Sequence, residues 1–434
     1  MKKITFQLFL LLSAFHVCAQ NYQYVSNVLW VTTPSNTDWL YKLNEKATVT
    51  VSIYEYGILQ DNVDVSYSIG PDMMPIDIEG KSRIKNGKAE IQLGTMSQPG
   101  FRDCNLKIKL NGIEYKHHIK VGFEPDKLMP YTKFPDDFVS FWNQAKEEAA
   151  KCPMEVEKVF VPEYSSDKVD CYLIKLQVYK KKQYVYGYLT MPKKPGKYPI
   201  VFSPPGAGIK PMNPLKDIFY AENGCIRFDM EIHGIRPNLD SETYQEISAA
   251  FGWRNTGYLV NGLDDRDSYY MKKVYLAGIR ALDYLTSLPE WDGKNLIAQG
   301  GSQGGGLALI TAGLDSRITA CAASHPALAD MAGYKANRAG GYPHLYTNYS
   351  GMDTPEKLKT LEYYDVVNFA KLINVPVYMT WGYNDNVCPP TTSYIVYNVL
   401  KSKKEALITP VNEHWITPET RHAILDWIKR NLKT

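Results

Sequence analysis

A chain of 434 residues with 44% hydrophobic and 22% charged residues is long enough for two buried cores and too apolar for a disordered or fibrous protein. Its formal net charge is only +3, and its lysines are scattered apart from short runs such as Lys180 to Lys182, which excludes the basic stripe of a nucleic-acid binder. Tyrosine is abundant, with 32 copies against 14 phenylalanines, a usage that suits carbohydrate surfaces and extracellular β-rich modules alike.

The chain opens on MKKITFQLFLLLSAFHVCAQ, two lysines and an apolar run followed by a small residue at Ala19, the layout of a secretory signal peptide over 1–19. The run is too short to span a bilayer. Cleavage after Ala19 is expected, with a secreted or periplasmic product. A lipid anchor at Cys18 is disfavoured, because Phe15, His16 and Val17 are bulky where such processing sites favour small residues. No later segment has the hydropathy of a membrane span. The remaining cysteines, Cys104, Cys152, Cys171, Cys225, Cys321 and Cys388, are irregularly spaced in a chain large enough to need no staples, so most are expected as buried thiols. No C-x-x-C pair offers a cysteine-built metal site.

Over 22–123 apolar residues recur at every second position, in ATVTVSIYEYG, VDVSYSIG, GKAEIQLG, NLKIKLNG and IEYKHHIKVG, with Gly, Asn and Pro between the runs. This is the pattern of a small antiparallel sandwich, read as an Ig-like accessory domain. Prolines at 125, 130 and 135 mark 124–135 as a linker, and PDDFVSFWNQAKEEAAK then opens a helix with an acidic first turn. Over 136–434 apolar strands alternate with amphipathic helices. YPIVFS, CIRFDM, NLIAQG, ITACAAS and VPVYMTWG read as strands; YYMKKVYLAGIRALDYLTSL, TTSYIVYNVLK and TPETRHAILDWIKRNL have helical spacing. That order predicts a mostly parallel sheet covered by helices on both faces.

Within this alternation, NLIAQGGSQGGGLALI runs strand, glycine-flanked serine, helix, the arrangement of a nucleophile elbow with Ser302 at its apex. A phosphate-binding loop would need Lys and Ser or Thr after the glycines, where this chain has Leu307. A purely structural glycine turn would not require serine there. A serine nucleophile needs a base, and the base an orienting acid, in the chain order Ser, acid, His. Four histidines follow Ser302. His422 lies in a helical pattern, His325 is too near the nucleophile in sequence for that order, and His344 falls in an irregular segment as a pocket candidate. His414, in the loop PVNEHWITPE after the last strand, is the expected base. Asp385, in the loop after VPVYMTWG, is the expected acid, while capping or solvated roles suit Asp353 and Asp365 better. The oxyanion is expected on the backbone N–H of Gln303 and, from SPPGAGIKP, of Ala207, with Gly206 allowing close backbone approach.

With FPDDFVSFW, GYLVNGLDDRDSYYMKKVYLAGIRALDYL, GGSQGGG, YYDVVNFA and GYNDNVCPPTTSYIVYN in this order, 130–432 resembles the acetyl xylan esterase and cephalosporin C deacetylase family, carbohydrate esterase family seven. The resemblance implies an α/β-hydrolase fold with Ser302, Asp385 and His414 as triad, Ala207 and Gln303 as oxyanion donors, and deacetylation of small acetylated sugars without cofactor or metal. This chain departs from the family in three places. It has His233-Gly234-Ile235 where Arg-Gly-Gln is usual, Ala207 where a tyrosine is usual, and Trp415 after the base where a glutamate is usual; His233 and Trp415 are therefore pocket candidates. The family's closed hexamers make a homo-oligomer an expected partner state, but the added sandwich keeps the hexamer from being carried over. A prolyl-oligopeptidase-like peptidase shares the triad order yet commonly carries a much longer leading domain, and a glycan-binding protein with a silent hydrolase domain is the non-enzymatic rival.

Overall fold

The computed structural model describes residues 27–251 and 256–434. The expected signal peptide and Cys18 lie outside them. The six later cysteines are free, and all but Cys152 are buried.

The N-terminal strands form two sheets. One contains β1 (Val28–Pro34), β3 (Ala47–Glu55) and β4 (Ile58–Leu59) in that order, with β7 (Ala89–Gly94) also paired to β3; the other runs β2 (Leu40–Tyr41), β9 (Ile113–Phe123), β8 (Gly100–Leu110), β5 (Asp64–Pro71) and β6 (Ile78–Arg83). Alternation decides what each strand buries. Val49, Val51 and Ile53 of β3 and Ile91 and Leu93 of β7 share one core with Ile69, Leu106, Ile119 and Val121 of the other sheet, while the intervening polar residues face outward. The proline-bearing stretch that follows is held along its length. Asn398 donates to the carbonyls of Pro125 and Leu128, Asp330 accepts the N–H groups of Tyr131 and Thr132, and Asn368 donates to the carbonyl of Lys133.

Residues from 138 onward fold around one nine-stranded sheet. In chain order its elements are α1 (Phe138–Ala150), β10 (Val156–Phe160), β11 (Val169–Gln177), β12 (Tyr184–Pro192), β13 (Tyr198–Ser203), α2 (Phe219–Glu222), β14 (Ile226–Met230), α3 (Ser241–Ala250), α4 (Tyr270–Leu285), β15 (Trp291–Gly301), α5 (Gln303–Leu314), β16 (Ala320–Ser324), α6 (Leu345–Asn348), α7 (Pro355–Tyr364), α8 (Val366–Ala370), β17 (Val377–Gly382), α9 (Pro390–Val399), β18 (Lys404–Thr409) and α10 (Pro418–Arg430). The strand order is β10-β11-β12-β14-β13-β15-β16-β17-β18, parallel from β14 through β18. The antiparallel edge β10 to β12 lies outside the strands that the sequence pattern predicts. Its β10 is exposed along its whole length and shows no apolar alternation to read.

Central strands are apolar on both sides because both faces are covered. Phe202, Ala298, Cys321 and Met379 pack into the large core with α4 and α5, while Val201, Ile297, Ala322 and Tyr378 pack against Ile424, Trp427 and Ile428 of α10. α4 is buried nearly all round, so its apolar stripe is wide, and its Arg280 is satisfied by Asp283 and the carbonyl of Cys152. Among the described residues no helix is long and apolar enough to cross a membrane.

Candidate active site

The sheet delivers its parallel strands to one end, and the loops that leave those ends meet there. Ser302 follows β15 directly and caps α5 with φ 59° and ψ −127°, a conformation that a non-glycine residue holds only under constraint from its surroundings. The constraint is visible in the neighbouring glycines. A Cβ on Gly300 would lie 2.4 Å from the Gly304 carbonyl carbon, and one on Gly304 would lie 2.4 Å from the Pro204 oxygen. Gly206 needs no such relief: a Cβ there would meet only the Lys210 ammonium, at 3.8 Å. The close approach expected at Gly206 therefore falls on Gly304, because the start of α5 packs directly under the loop after β13.

The serine side chain makes no capping bond, and His414 Nε2 lies 3.0 Å from its Oγ. His414 Nδ1 lies 2.8 Å from Asp385 Oδ2. The other carboxylate oxygen of Asp385 accepts the N–H groups of Val387 at 2.7 Å and Cys388 at 2.8 Å, a turn built by the residues that follow β17. Burial pushes the Asp385 pKa up, but the hydrogen bond and charge of His414 together with the Cys388 N–H hold it below the usual carboxylate range. An ionised acid that orients an imidazole toward a serine hydroxyl is a proton-relay geometry.

Gln303 is the first residue of α5, so its N–H has no partner one turn earlier, and its side chain is fully buried. That side chain links the two halves of the expected oxyanion site. Tyr258 donates its hydroxyl to Gln303 Oε1 at 2.6 Å and accepts the N–H of Gly208 at 3.3 Å, tying the Ala207 loop to the elbow. No local pattern signals this bridge, although Tyr258 lies within the long tyrosine-bearing stretch that carries the family resemblance.

The remaining candidates sit one layer away. His233 packs edge-on against Tyr258, with ring centroids 4.7 Å apart, and its Nδ1 lies 2.8 Å from the Tyr270 hydroxyl. Burial drives its pKa down to about 3, so it is neutral. Its loop is held by Glu231, which accepts the N–H groups of His233, Gly234 and Ile235 and is itself pushed up to about 7 by burial. His233 also borders a cleft of about 270 Å³ with Lys182, Gln183 and Lys273. His344 is buried, with Nδ1 2.9 Å from the Tyr334 hydroxyl and its ring edge against Tyr342, a packed position rather than an open pocket wall. Trp415 is 50% exposed on the base loop. His422 stands exposed on α10, Asp365 is a buried cap of α8 whose pKa burial raises to about 7, and Asp353 pairs with Lys335.

His325, set aside on sequence distance, lies with its ring centroid 4.4 Å from that of His414. β16 runs beside β15, so the residue after β16 necessarily emerges beside the elbow; chain order alone carries no signal of this. Burial, then the neighbouring His414, holds the His325 pKa down at about 4, and its Nδ1 has no protein partner. His325, Asp385 and His414 are the one group among the described residues with the make-up of a metal-ligand set, their donor atoms within 4.8 Å of one another. Two of the three already bond to each other, and His414 also to Ser302, which is the arrangement of a triad with a histidine neighbour.

The family model for acetyl xylan esterase (AXE1) matches residues 124–431 and so begins where the sandwich ends. Acetyl esterase Axe7A of Xylanibacter ruminicola is 57% identical over 435 residues, spanning 100% of this chain and 98% of its own. An acetyl xylan esterase from Paenibacillus sp. R4 superposes with a TM-score of 0.62 at 26% identity, over 71% of this chain and 99% of that one. Acetyl xylan esterase 1 from Thermoanaerobacterium sp. JW/SL YS485 superposes with a TM-score of 0.63 at 24% identity, over 71% and 98%, and shows the shared α/β-hydrolase fold.

Proposed function

From the premise that this chain belongs to the acetyl xylan esterase family and is a carboxylic ester hydrolase acting on acetyl esters, we propose that Ser302, His414 and Asp385 carry the reaction and that its substrates are small acetylated sugars such as xylo-oligosaccharides. The observation that carries the assignment of residues is the unbroken chain from Asp385 Oδ2 through both nitrogens of His414 to Ser302 Oγ, at 2.8 and 3.0 Å. His414 takes the hydroxyl proton as Ser302 attacks the acetyl carbonyl, and the tetrahedral oxyanion rests on the N–H groups of Gln303 and Ala207. As the C–O bond to the alcohol breaks, His414 protonates the leaving oxygen. Water, deprotonated by His414, then attacks the acetyl-enzyme, and acetate leaves with Ser302 restored.

The sugar alcohol is favoured by the names of the relatives, and the neutral, aromatic layer of Tyr258, His233 and Tyr270 behind the oxyanion loop is compatible with it. A panel of esters varied in acyl length and alcohol, with Ser302→Ala as blank, tests the reading. Acetate on a xylose or xylobiose hydroxyl should be cleaved in preference to butyrate, and a serine-directed phosphonate should label Ser302. An enzyme indifferent to acyl length, or equal activity of Ser302→Ala, would overturn it. Export after cleavage at Ala19 is part of the same proposal and is checked by N-terminal sequencing of the mature protein.

A further inference from the structure

The sandwich touches the loops that bear the proposed acid and base, and it does so with buried charge. Lys120 of β9 is 0% exposed. Its ammonium donates to the backbone carbonyl of Asp385 at 2.9 Å and lies 2.8 Å from Asp72 Oδ1, an ion pair that falls short of an aligned hydrogen bond. The backbone N–H of Lys120 donates to Asn384 Oδ1 at 2.9 Å, and Asn384 Nδ2 donates back to the His118 carbonyl at 3.2 Å and on to the Val411 carbonyl at 3.3 Å. Asp72, just after β5, accepts the Thr391 hydroxyl of α9 at 3.0 Å. His118 Nε2 lies 3.5 Å from Glu413, the residue before His414. Around this polar centre Phe101 of β8 packs on Tyr383 and Tyr394, at 5.0 and 5.7 Å between ring centroids.

A buried ion pair is a poor device for stability alone, since apolar residues of similar volume commonly serve as well or better; its best-attested use is to impose one arrangement. Here the arrangement imposed is that of residues 384 and 385. The Asp385 carbonyl is buried beneath the carboxylate that faces His414, and Lys120 donates to it across the domain boundary. An apolar residue at 120 would leave that carbonyl without a donor and Asp72 without its counter-ion, and the peptide would be free to turn. The side-chain bonds of Asn384 tie down the residue before Asp385 and couple it to the loop of His414 at Val411.

We propose that the N-terminal sandwich is a positioning part of the active site, with Lys120 as the positioning residue that holds the Asp385 loop in register with His414. The proposal rests on the triad assigned above. A displacement of about 1 Å in such a constellation is enough to lower turnover on the order of 100-fold.

The test uses the full chain carrying Lys120→Met together with Asp72→Asn, so that no uncompensated charge is buried. An activated acetate ester gives kcat and KM, thermal melting reports folding, and the downfield proton resonance of the His414–Asp385 hydrogen bond reports alignment. Expected is a folded protein whose kcat falls by roughly 10- to 100-fold, with KM within about threefold and the downfield resonance shifted or broadened. A folded double variant with wild-type kcat and an unchanged resonance would overturn the proposal. Should the double variant not fold, Asn384→Ser, which leaves the ion pair intact, decides in its place by the same kcat-selective loss or its absence. Failure of the triad reading is distinguished by the wild type, which would then resist phosphonate labelling at Ser302 whatever happens at Lys120.

Discussion

Asp385→Asn is the sharpest perturbation of the site, because the backbone dictates how the amide must sit. Oδ1 of the wild-type carboxylate accepts two N–H groups, from Val387 and Cys388, at 2.7 and 2.8 Å. The amide oxygen has to take that place, since an NH2 group there would face two buried donors and forfeit about 1 to 3 kcal/mol for each. The amide nitrogen is therefore turned toward His414 Nδ1, where the carboxylate now accepts at 2.8 Å. Facing a donor, Nδ1 must present its lone pair, and the imidazole proton moves to Nε2. Nε2 then donates to Ser302 Oγ instead of accepting from it, and the serine loses its base. Loss of the correct tautomer costs about 10⁴-fold in kcat, or about 5 kcal/mol of barrier. Folding should survive, because shape and the two backbone bonds are kept. The sign of the stability change follows from the lowered pKa of Asp385: its ionised form favours the folded state above the usual carboxylate range, and that contribution disappears as pH falls through the folded pKa. The variant should thus melt a few degrees lower at pH 7 and converge with wild type under acid conditions. Steady-state hydrolysis of an activated acetate ester and melting curves across pH measure both effects. A folded variant within tenfold of wild-type kcat would refute the assignment of Asp385 and the tautomer argument with it.

Gly304→Ala drives a Cβ to 2.4 Å from the Pro204 oxygen, backbone against backbone, and should lower stability by about 1 to 3 kcal/mol and kcat/KM together as the oxyanion loop is pushed away. Gly278→Ala on α4, whose Cβ would meet Phe202 and Thr311 at an ordinary 3.6 Å, is the control, and urea titrations should show it unchanged or stabilised. Tyr258→Phe removes the hydroxyl between Gly208 N–H and Gln303 Oε1; a fall in kcat of roughly tenfold, with the acyl-enzyme formed more slowly in stopped-flow, is expected from a loosened oxyanion donor. His325 is held neutral to about pH 4, well below the unfolded value of 6.5, so its contribution to stability is complete above about pH 6.5 and is lost as pH falls toward 4. Relative to His325→Asn, the wild type should lose roughly 3 kcal/mol over that window, and parallel unfolding curves from pH 7 to 4 would show the histidine to be accessible.

Local pattern alone predicts the elements whose surroundings match it. Alternation over β3, β7, β8 and β9 predicted a two-sheet sandwich because each strand has one wet and one dry face. The continuous apolar runs of β13, β15, β16 and β17 predicted a sheet covered on both sides for the same reason. The candidates Ser302, Asp385 and His414, which the structure brings together, were legible because steric and chemical demands leave few residues eligible: glycines around the elbow, a carboxylate in the loop after β17, a histidine in the loop after β18. What has no local signature had to wait for the tertiary structure. The exposed β10 carries no alternation. The histidine neighbour of His414 follows the strand next to the elbow, and adjacency in a sheet is not written in chain order. The Tyr258 bridge joins residues 45 apart, and the Lys120 contact joins residues 265 apart. Such partners are specified by how two cores pack together, and a buried lysine on an alternating strand reads as a solvent-facing residue until the other domain is seen to cover it.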